Sequence, residues 1–140
     1  MQTFLPYPDF AKSAQVLDRQ RLGKQRVEAW QLLQSQFHGG GWVHHPASRM
    51  WRGHALALAQ YGLVVCLEWQ KRGYIDRMGS QFAKFLADNA GHEIWSPSWM
   101  GDPLFHRSHQ SNLIRKWPEH YSPLFPGVPG HLPYKWPLPT

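Results

Sequence analysis

Apolar residues recur at helical spacing along most of the first 117 positions, and glycines or prolines interrupt them. A proline-free stretch starts at Asp9 or Ser13, reaches Phe37 and is followed by Gly39-Gly40-Gly41. Its apolar positions on one helical face are Leu22, Ala29 and Leu33. The pattern predicts one long first helix that ends before the glycine run.

Three further helices follow from the same reasoning. The second begins near Pro46, a residue suited to a first helical turn, and continues to about Lys71 before Gly73. It is apolar nearly all round, so we expect it at the centre of the molecule. The third covers about 79–88, and the fourth about 103–116 with Asp102 as N-cap. No segment has the pattern of a strand hairpin.

The final stretch from Pro118 contains seven of the 12 prolines together with four aromatic residues, which are Tyr121, Phe125, Tyr134 and Trp136. We predict that it is not helical but forms an extended strap docked on the helices, with a disordered tail as the alternative. The predicted fold is all-α. It is one compact domain over 1–140, with about four helices in a body at 1–117 and the strap at 118–140.

The net charge favours a polyanionic binding partner such as nucleic acid. The chain has 15 Lys and Arg against 9 Asp and Glu, a formal net charge of +6 and an isoelectric point near 9.8. No stretch has the length of apolar residues needed to cross a membrane, and the N-terminus has no basic segment followed by an apolar one. Cys66 lies in an apolar run, which predicts a buried thiol. We therefore expect a cytoplasmic protein that acts away from membranes. We also expect it to be a monomer, a prediction on which these observations do not bear.

Polar side chains on the predicted first helix share one face. Arg21, Lys24, Glu28 and Gln31 follow one another at intervals of three or four residues. One carboxylate among cations is compatible with a catalytic site, but a solvated face with ordinary ion pairs produces the same pattern. The spacing alone does not decide between these interpretations.

The second predicted helix also has a polar face at its start. His45, Arg49 and Arg52 share this face, and Trp51 and His54 lie beside it. These residues are suited to phosphate contacts, with Trp51 as a wedge in a distorted duplex. The alternative is a pair of solvated arginines beside a core tryptophan.

The fourth predicted helix is unusually polar, and His109, Asn112 and Lys116 project from it together. They are candidates to hydrogen-bond DNA or a nucleotide flipped out of the duplex. His106 and His109 also form a His-x-x-His pair, but two histidines without further ligands fall short of a zinc site. We expect neither a metal nor another cofactor.

Several motifs resemble the pyrimidine-dimer DNA glycosylase/AP lyase family, of the phage endonuclease V type, and its small bacterial relatives. The stretch Leu17-Asp18-Arg19-Gln20-Arg21-Leu22, followed after five residues by Glu28, is similar to that family's first helix. Three other patches occur in the family's order, which are His45-Pro46, Lys71-Arg72-Gly73-Tyr74, and Pro118 with Tyr121.

The resemblance implies a metal-independent reaction. In this family an N-terminal α-amine attacks the sugar C1′ of a damaged nucleotide, displaces the base as an imine forms, and breaks the strand by β-elimination. Glu28 falls on the family's catalytic glutamate. Because Gln2 is bulky, we expect Met1 to be retained and its α-amine to be the nucleophile.

The sequence and the resemblance together predict a DNA glycosylase with AP-lyase activity on damaged or modified pyrimidines in double-stranded DNA. Its expected DNA-contacting residues are Gln2, Gln20, Arg21, Lys24, Arg26, His45, Arg49, Arg52, His109, Asn112 and Lys116. The alternatives are a non-catalytic DNA-binding protein of the same fold and, less favoured, a metal-dependent nuclease.

Overall fold

A computed structural model describes residues 2–41 and 43–137, and within these ranges the chain forms seven helices and no strand. The helices are α1 Phe10–Val16, α2 Arg19–His38, α3 Pro46–Met50, α4 Ala55–Lys71, α5 Gly79–Asp88, α6 Pro103–Lys116 and α7 Pro118–Tyr121. The all-α prediction is confirmed, and α5 and α6 have the predicted bounds. There are more helices than the four predicted because two predicted helices are interrupted and the segment from Pro118 begins with a short helix. None of the helices described has the length and apolar composition to span a bilayer.

The predicted single first helix is wrong at Leu17 and Asp18, where the backbone is extended. Asp18 is the N-cap of α2, and its side chain accepts a hydrogen bond from the Arg21 backbone N–H. Its own N–H donates to the Tyr121 hydroxyl at 2.9 Å. Burial alone raises the pKa of the Asp18 carboxyl, but hydrogen bonds from Tyr121 and Arg21 hold this pKa below its ordinary value.

The predicted second helix is interrupted between Met50 and Ala55, and the break places Trp51 in the core. Trp51 is fully buried, and its indole N–H donates to the Thr3 hydroxyl at 3.0 Å. The interpretation of Trp51 as a DNA wedge is therefore wrong. The turn includes Gly53 at φ +83°, a conformation that side-chain-bearing residues rarely adopt.

The central position predicted for the apolar second helix is confirmed for α4, which packs against α1, α2 and α5. Its Gly62 allows close contact with α5, because a Cβ there would lie only 2.3 Å from the Phe82 ring. Cys66 on the same helix is buried, as predicted, and burial raises the pKa of its thiol.

The C-terminal segment combines a short helix with a docked strap. The prediction that it is not helical is wrong for α7, because Pro118 occupies the first helical turn, where no backbone N–H is required. The strap beyond it packs on α6, as predicted. The Ser111 hydroxyl donates to the Pro129 carbonyl, and the Asn112 side chain donates to the Leu132 carbonyl at 3.2 Å. Residues 138–140 of the predicted strap lie outside the described residues.

Candidate active site

Residues 2–6 form a buried segment without regular secondary structure, which we call the N-terminal segment. A buried backbone outside helices and sheets must find hydrogen-bond partners elsewhere. Here the partners are side chains from three different helices. They are Gln25 and Glu28 of α2, Tyr61 of α4, and His106, His109 and Gln110 of α6.

Gln25 binds the beginning of the N-terminal segment. Its amide nitrogen donates to the Gln2 carbonyl at 2.7 Å, and its amide oxygen accepts from the Phe4 N–H at 3.0 Å. The Tyr61 hydroxyl lies 2.6 Å from the same Gln25 oxygen and 3.0 Å from the Phe4 carbonyl. Burial raises the pKa of Tyr61, so its hydroxyl remains a donor.

Two histidines of α6 hold Leu5. The Leu5 N–H donates to Nδ1 of His109 at 2.9 Å, and Nδ1 of His106 lies 2.7 Å from the Leu5 carbonyl. Since Nε2 of His106 accepts from the Gly101 N–H, its Nδ1 carries the proton that the Leu5 carbonyl accepts. Burial lowers the pKa of both imidazoles, that of His109 to about 3, so both are neutral at pH 7.

These contacts correct two predicted DNA-binding residues. His109 is completely inaccessible to solvent, and Asn112 is also buried, with its amide nitrogen donating to the Ser108 and Leu132 carbonyls. Both side chains face the interior because α6 packs under the N-terminal segment on one side and the strap on the other. They hold the fold together and do not form a DNA-facing surface.

Glu28 lies where the N-terminal segment meets α2. Its Oε2 atom accepts a hydrogen bond from the Gln2 backbone N–H at 3.2 Å and lies 3.4 Å from the Gln25 amide nitrogen. A pocket of about 220 Å³ opens beside it. The pocket is lined by Gln2, Phe4, Gln20, Arg21, Lys24, Glu28 and Lys116. Six of the residues predicted from sequence are thus brought together in one cavity.

The pocket wall is cationic. Lys24 and Lys116 are exposed, and within residues 2–41 and 43–137 neither has a carboxylate partner. Arg21 differs, because its guanidinium binds the Asp18 carboxylate at 3.0 Å. Two unpaired ammonium groups beside one carboxylate favour an anionic ligand at this opening.

Arg26 is not part of this cavity. It binds the Asp76 carboxylate at 2.6 Å, and its guanidinium stacks 4.5 Å from the centre of the Trp69 ring. Asp76 also accepts hydrogen bonds from the Met78 and Gly79 N–H groups. Arg26 therefore fixes the loop before α5, and the prediction that it contacts DNA does not fit this position.

The predicted residues around α3 lie outside the pocket lining. Nδ1 of His45 accepts from the Ala47 N–H at 3.0 Å and caps α3. Burial lowers the pKa of His45, and the Glu28 carboxylate is near enough to oppose this shift. Arg52 donates to the Val43 carbonyl at 3.1 Å. Arg49 is partly exposed and has no ion pair among the residues described.

Gln25 and Tyr61 were not predicted from the sequence. A signal for Gln25 exists, since it falls between Leu22 and Ala29 at intervals of three and four residues, on the apolar face of α2. A glutamine on a core-facing position needs buried polar partners, and such partners are found only when a second segment is brought to it. Tyr61 has no comparable signal, because a tyrosine on an apolar helix is ordinarily a core residue.

The His-x-x-His pair has structural partners, as both Nδ1 atoms contact Leu5. Across residues 2–41 and 43–137, no group of three or more His, Cys, Asp or Glu side chains is arranged to hold a metal ion.

Comparison with known proteins identifies one family. The family model described as pyrimidine dimer DNA glycosylase matches residues 1–81, more than half of the chain. Neither the curated proteins nor the solved structures contain a match. The matched region includes Glu28, Gln25 and every residue of the pocket lining except Lys116. The chain therefore belongs to the pyrimidine dimer DNA glycosylase family.

Proposed function

We propose that this protein excises a damaged or modified pyrimidine from double-stranded DNA through an imine with its N-terminal α-amine, and then cleaves the strand as an AP lyase. Membership of the family supports DNA glycosylase activity in general. The observation that carries the finer proposal is the hydrogen bond between the Gln2 backbone N–H and Glu28. It joins the start of the chain to a carboxylate in a cationic pocket.

The proposed nucleophile is the α-amine of Met1, a residue outside those described. Three covalent bonds separate this amine from the Gln2 amide nitrogen, so the two nitrogens lie at most about 4 Å apart. An α-amine has an ordinary pKa of about 7.7 to 8.0, well below that of lysine. A substantial fraction is therefore uncharged at neutral pH and able to attack carbon.

The proposed reaction has two bond-breaking stages. The amine nitrogen bonds to C1′ while the C1′–N bond to the pyrimidine breaks, and the base leaves with that electron pair and takes up a proton. Opening of the sugar ring gives the imine. Loss of a C2′ proton then expels the 3′ phosphate, and water finally hydrolyses the imine to release the amine.

Glu28 serves both stages in this proposal. As a carboxylate it stabilises the positive charge that develops on the sugar when the base departs. It can then accept and return protons during imine formation and elimination. Its contact with the Gln2 N–H keeps it beside the chain start without making it part of an ion pair with Lys24 or Lys116.

Cations around the pocket support a DNA substrate. Lys24 and Lys116 line the pocket, and Arg49 on α3, outside this lining, is a further cation without an ion pair among the described residues. Such groups bind phosphates irrespective of base sequence. The sugar C1′ is not accessible within a stacked duplex, so the target nucleotide must leave the stack to meet the amine.

Covalent trapping tests the proposal. Duplexes that each carry one modified pyrimidine are incubated with the protein and borohydride, and we expect a protein–DNA adduct only with the substrate lesion. Reductive methylation of the α-amine to a tertiary amine should abolish trapping, since a tertiary amine cannot form the imine. Intact-mass analysis of the adduct's N-terminal peptide identifies the residue that carries the sugar.

The rival functions give different results. A non-catalytic DNA-binding protein would bind every duplex and yield no adduct with any lesion. A metal-dependent nuclease would lose cleavage in excess EDTA and regain it with added metal, whereas imine chemistry continues in EDTA.

A further inference from the structure

We propose that Gln25 is a positioning residue that sets the location of the N-terminal α-amine relative to Glu28. The inference rests on the proposed function, because the amine matters only if it is the nucleophile. Gln25 itself does not line the pocket. It acts through the Gln2 backbone on one side and the Glu28 carboxylate on the other.

The Gln25 amide pairs with the N-terminal segment as a neighbouring β-strand would. Its nitrogen donates to the carbonyl of residue 2, and its oxygen accepts from the N–H of residue 4. In a parallel ladder, the N–H and C=O of one residue likewise pair with a carbonyl and an N–H that lie two residues apart on the neighbouring strand. The two contacts together prevent the segment from sliding along its axis, because a shift by one residue would break both hydrogen bonds.

The orientation of the Gln25 amide is determined by its partners. The Phe4 N–H can only donate, and the Gln2 carbonyl can only accept, so the oxygen must face Phe4 and the nitrogen must face Gln2. The Tyr61 hydroxyl supports the same oxygen at 2.6 Å. Gln25 is only 1% exposed, so water cannot replace these partners.

The same amide nitrogen connects the segment to the carboxylate. It lies 3.4 Å from Glu28 Oε2, and that oxygen also accepts the Gln2 N–H. One side chain therefore contacts both the residue next to the proposed nucleophile and the proposed proton-transfer group. Small errors in such a placement are costly, since rate depends steeply on the distance and angle of attack.

The first experiment compares Gln25→Leu with Gln110→Leu. Gln110 is a matched control because it donates to the Pro6 carbonyl at 2.8 Å, in the same segment, yet contacts neither Gln2 nor Glu28. Single-turnover rates of borohydride trapping and Kd for lesion DNA are measured for each. We expect Gln25→Leu to lower the rate roughly 10- to 100-fold with Kd nearly unchanged, and Gln110→Leu to have a much smaller effect.

The second experiment uses the nearly isosteric variant Gln25→Glu, which keeps the proposal falsifiable if Gln25→Leu does not fold. Two carboxyl groups this close cannot both ionise easily, so the pair retains a proton to higher pH. We expect the acid limb of the pH–rate profile to move upward by one pH unit or more. A purely structural defect lowers the rate at every pH without moving this limb, and Gln110→Glu should leave the limb in place.

The outcomes separate the two proposals. If the wild-type protein forms no adduct, the imine mechanism itself is overturned. Suppose instead that the wild-type protein forms the adduct. If folded Gln25→Leu then reacts at the wild-type rate, or no more slowly than Gln110→Leu, the positioning role is overturned while the imine mechanism stands. An unshifted acid limb in Gln25→Glu would likewise overturn the positioning role.

Discussion

Helices α2 and α6 both carry polar side chains at helical spacing, yet the two rows have opposite positions in the molecule. Gln20, Lys24 and Glu28 of α2 line an open cavity. His109 and Asn112 of α6 are buried, where they bind the N-terminal segment and the strap. Both rows were predicted to face DNA.

The difference lies in what each helix has next to it. α6 is covered by two segments without regular structure, and its side chains supply many of the donors and acceptors that their backbone groups need. The polar row of α2 instead contacts such a segment at one edge. The contacts come from Glu28, which belongs to the row, and from Gln25 beside it. A polar row stays available as a binding surface only over the part that irregular segments leave uncovered.

The largest expected effect is in the α2 row. Glu28→Gln removes the charge but nearly keeps the shape, so we expect base release and trapping to slow by about 10² to 10⁴-fold. Lesion binding should persist or tighten, because a negative charge has left a phosphate-binding surface. Thermal unfolding and Kd are measured alongside the rate. Wild-type base release by Glu28→Gln would remove this carboxylate from the mechanism.

For the polar row of α6, we expect the free energy of unfolding to depend on pH. Because burial depresses the pKa of His109 to about 3, the folded protein binds fewer protons than the unfolded chain below about pH 6.5. The pKa of His106 is also lowered. Both neutral histidines therefore contribute to stability above pH 6.5, and this contribution is lost as the pH falls. Between pH 6.5 and 5, we expect the free energy of unfolding to fall by about 2 kcal/mol for each histidine whose pKa in the folded protein lies well below 5.

Urea unfolding at several pH values measures this dependence. His109→Leu should reduce the slope of unfolding free energy against pH, while His92→Gln, at an exposed position, should leave it unchanged. Equal slopes in all three proteins would mean that neutral His109 is not required by the fold.

The smallest expected effect is on the salt dependence of DNA binding, which should distinguish the pocket lysines from Arg26. Replacing Lys24 and Lys116 by glutamine should reduce the log–log slope of Kd against salt by about 0.9 for each phosphate that is no longer neutralised. For both lysines together, the change in affinity between 50 and 200 mM salt should become roughly tenfold smaller. Arg26→Gln is the matched control, since it breaks the ion pair with Asp76 and should destabilise the fold without changing the salt dependence. The reverse pattern would place the phosphate contacts on the Arg26 side.

Periodicity located α5 and α6 well because each is one uninterrupted amphipathic or capped segment. It failed at Asp18, where the contact with Tyr121, more than 100 residues later, supports an extended backbone inside a proline-free stretch. The sequence left Trp51 open between a DNA wedge and a core residue, and its buried position involves a contact with Thr3, 48 residues earlier. Local sequence located the uninterrupted helices, whereas the breaks at Asp18 and Trp51 involve partners that are distant in the chain.

The residues of the candidate site likewise divide into those that local spacing indicates and those whose roles depend on long-range contacts. The row of Gln20, Lys24 and Glu28 is local to one helix, so its spacing was informative. The roles of Gln25, Tyr61 and His106 depend on a segment that joins three helices, and no spacing within one helix can indicate it. The family resemblance supplied Glu28 as the candidate catalytic residue, but not the side chains that hold the N-terminal segment beside it.

The threading of Leu5 between His106 and His109 has a consequence for biosynthesis. A ribosome adds about 5 to 20 residues per second, so roughly 5 to 20 s pass between the synthesis of Leu5 and that of His109. During this interval the start of the chain lacks its buried partners on α6. The N-terminal segment, whose α-amine we propose as the nucleophile, therefore gains its full set of partners only when most of the protein has been translated, and by then the pocket that includes Lys116 is nearly complete.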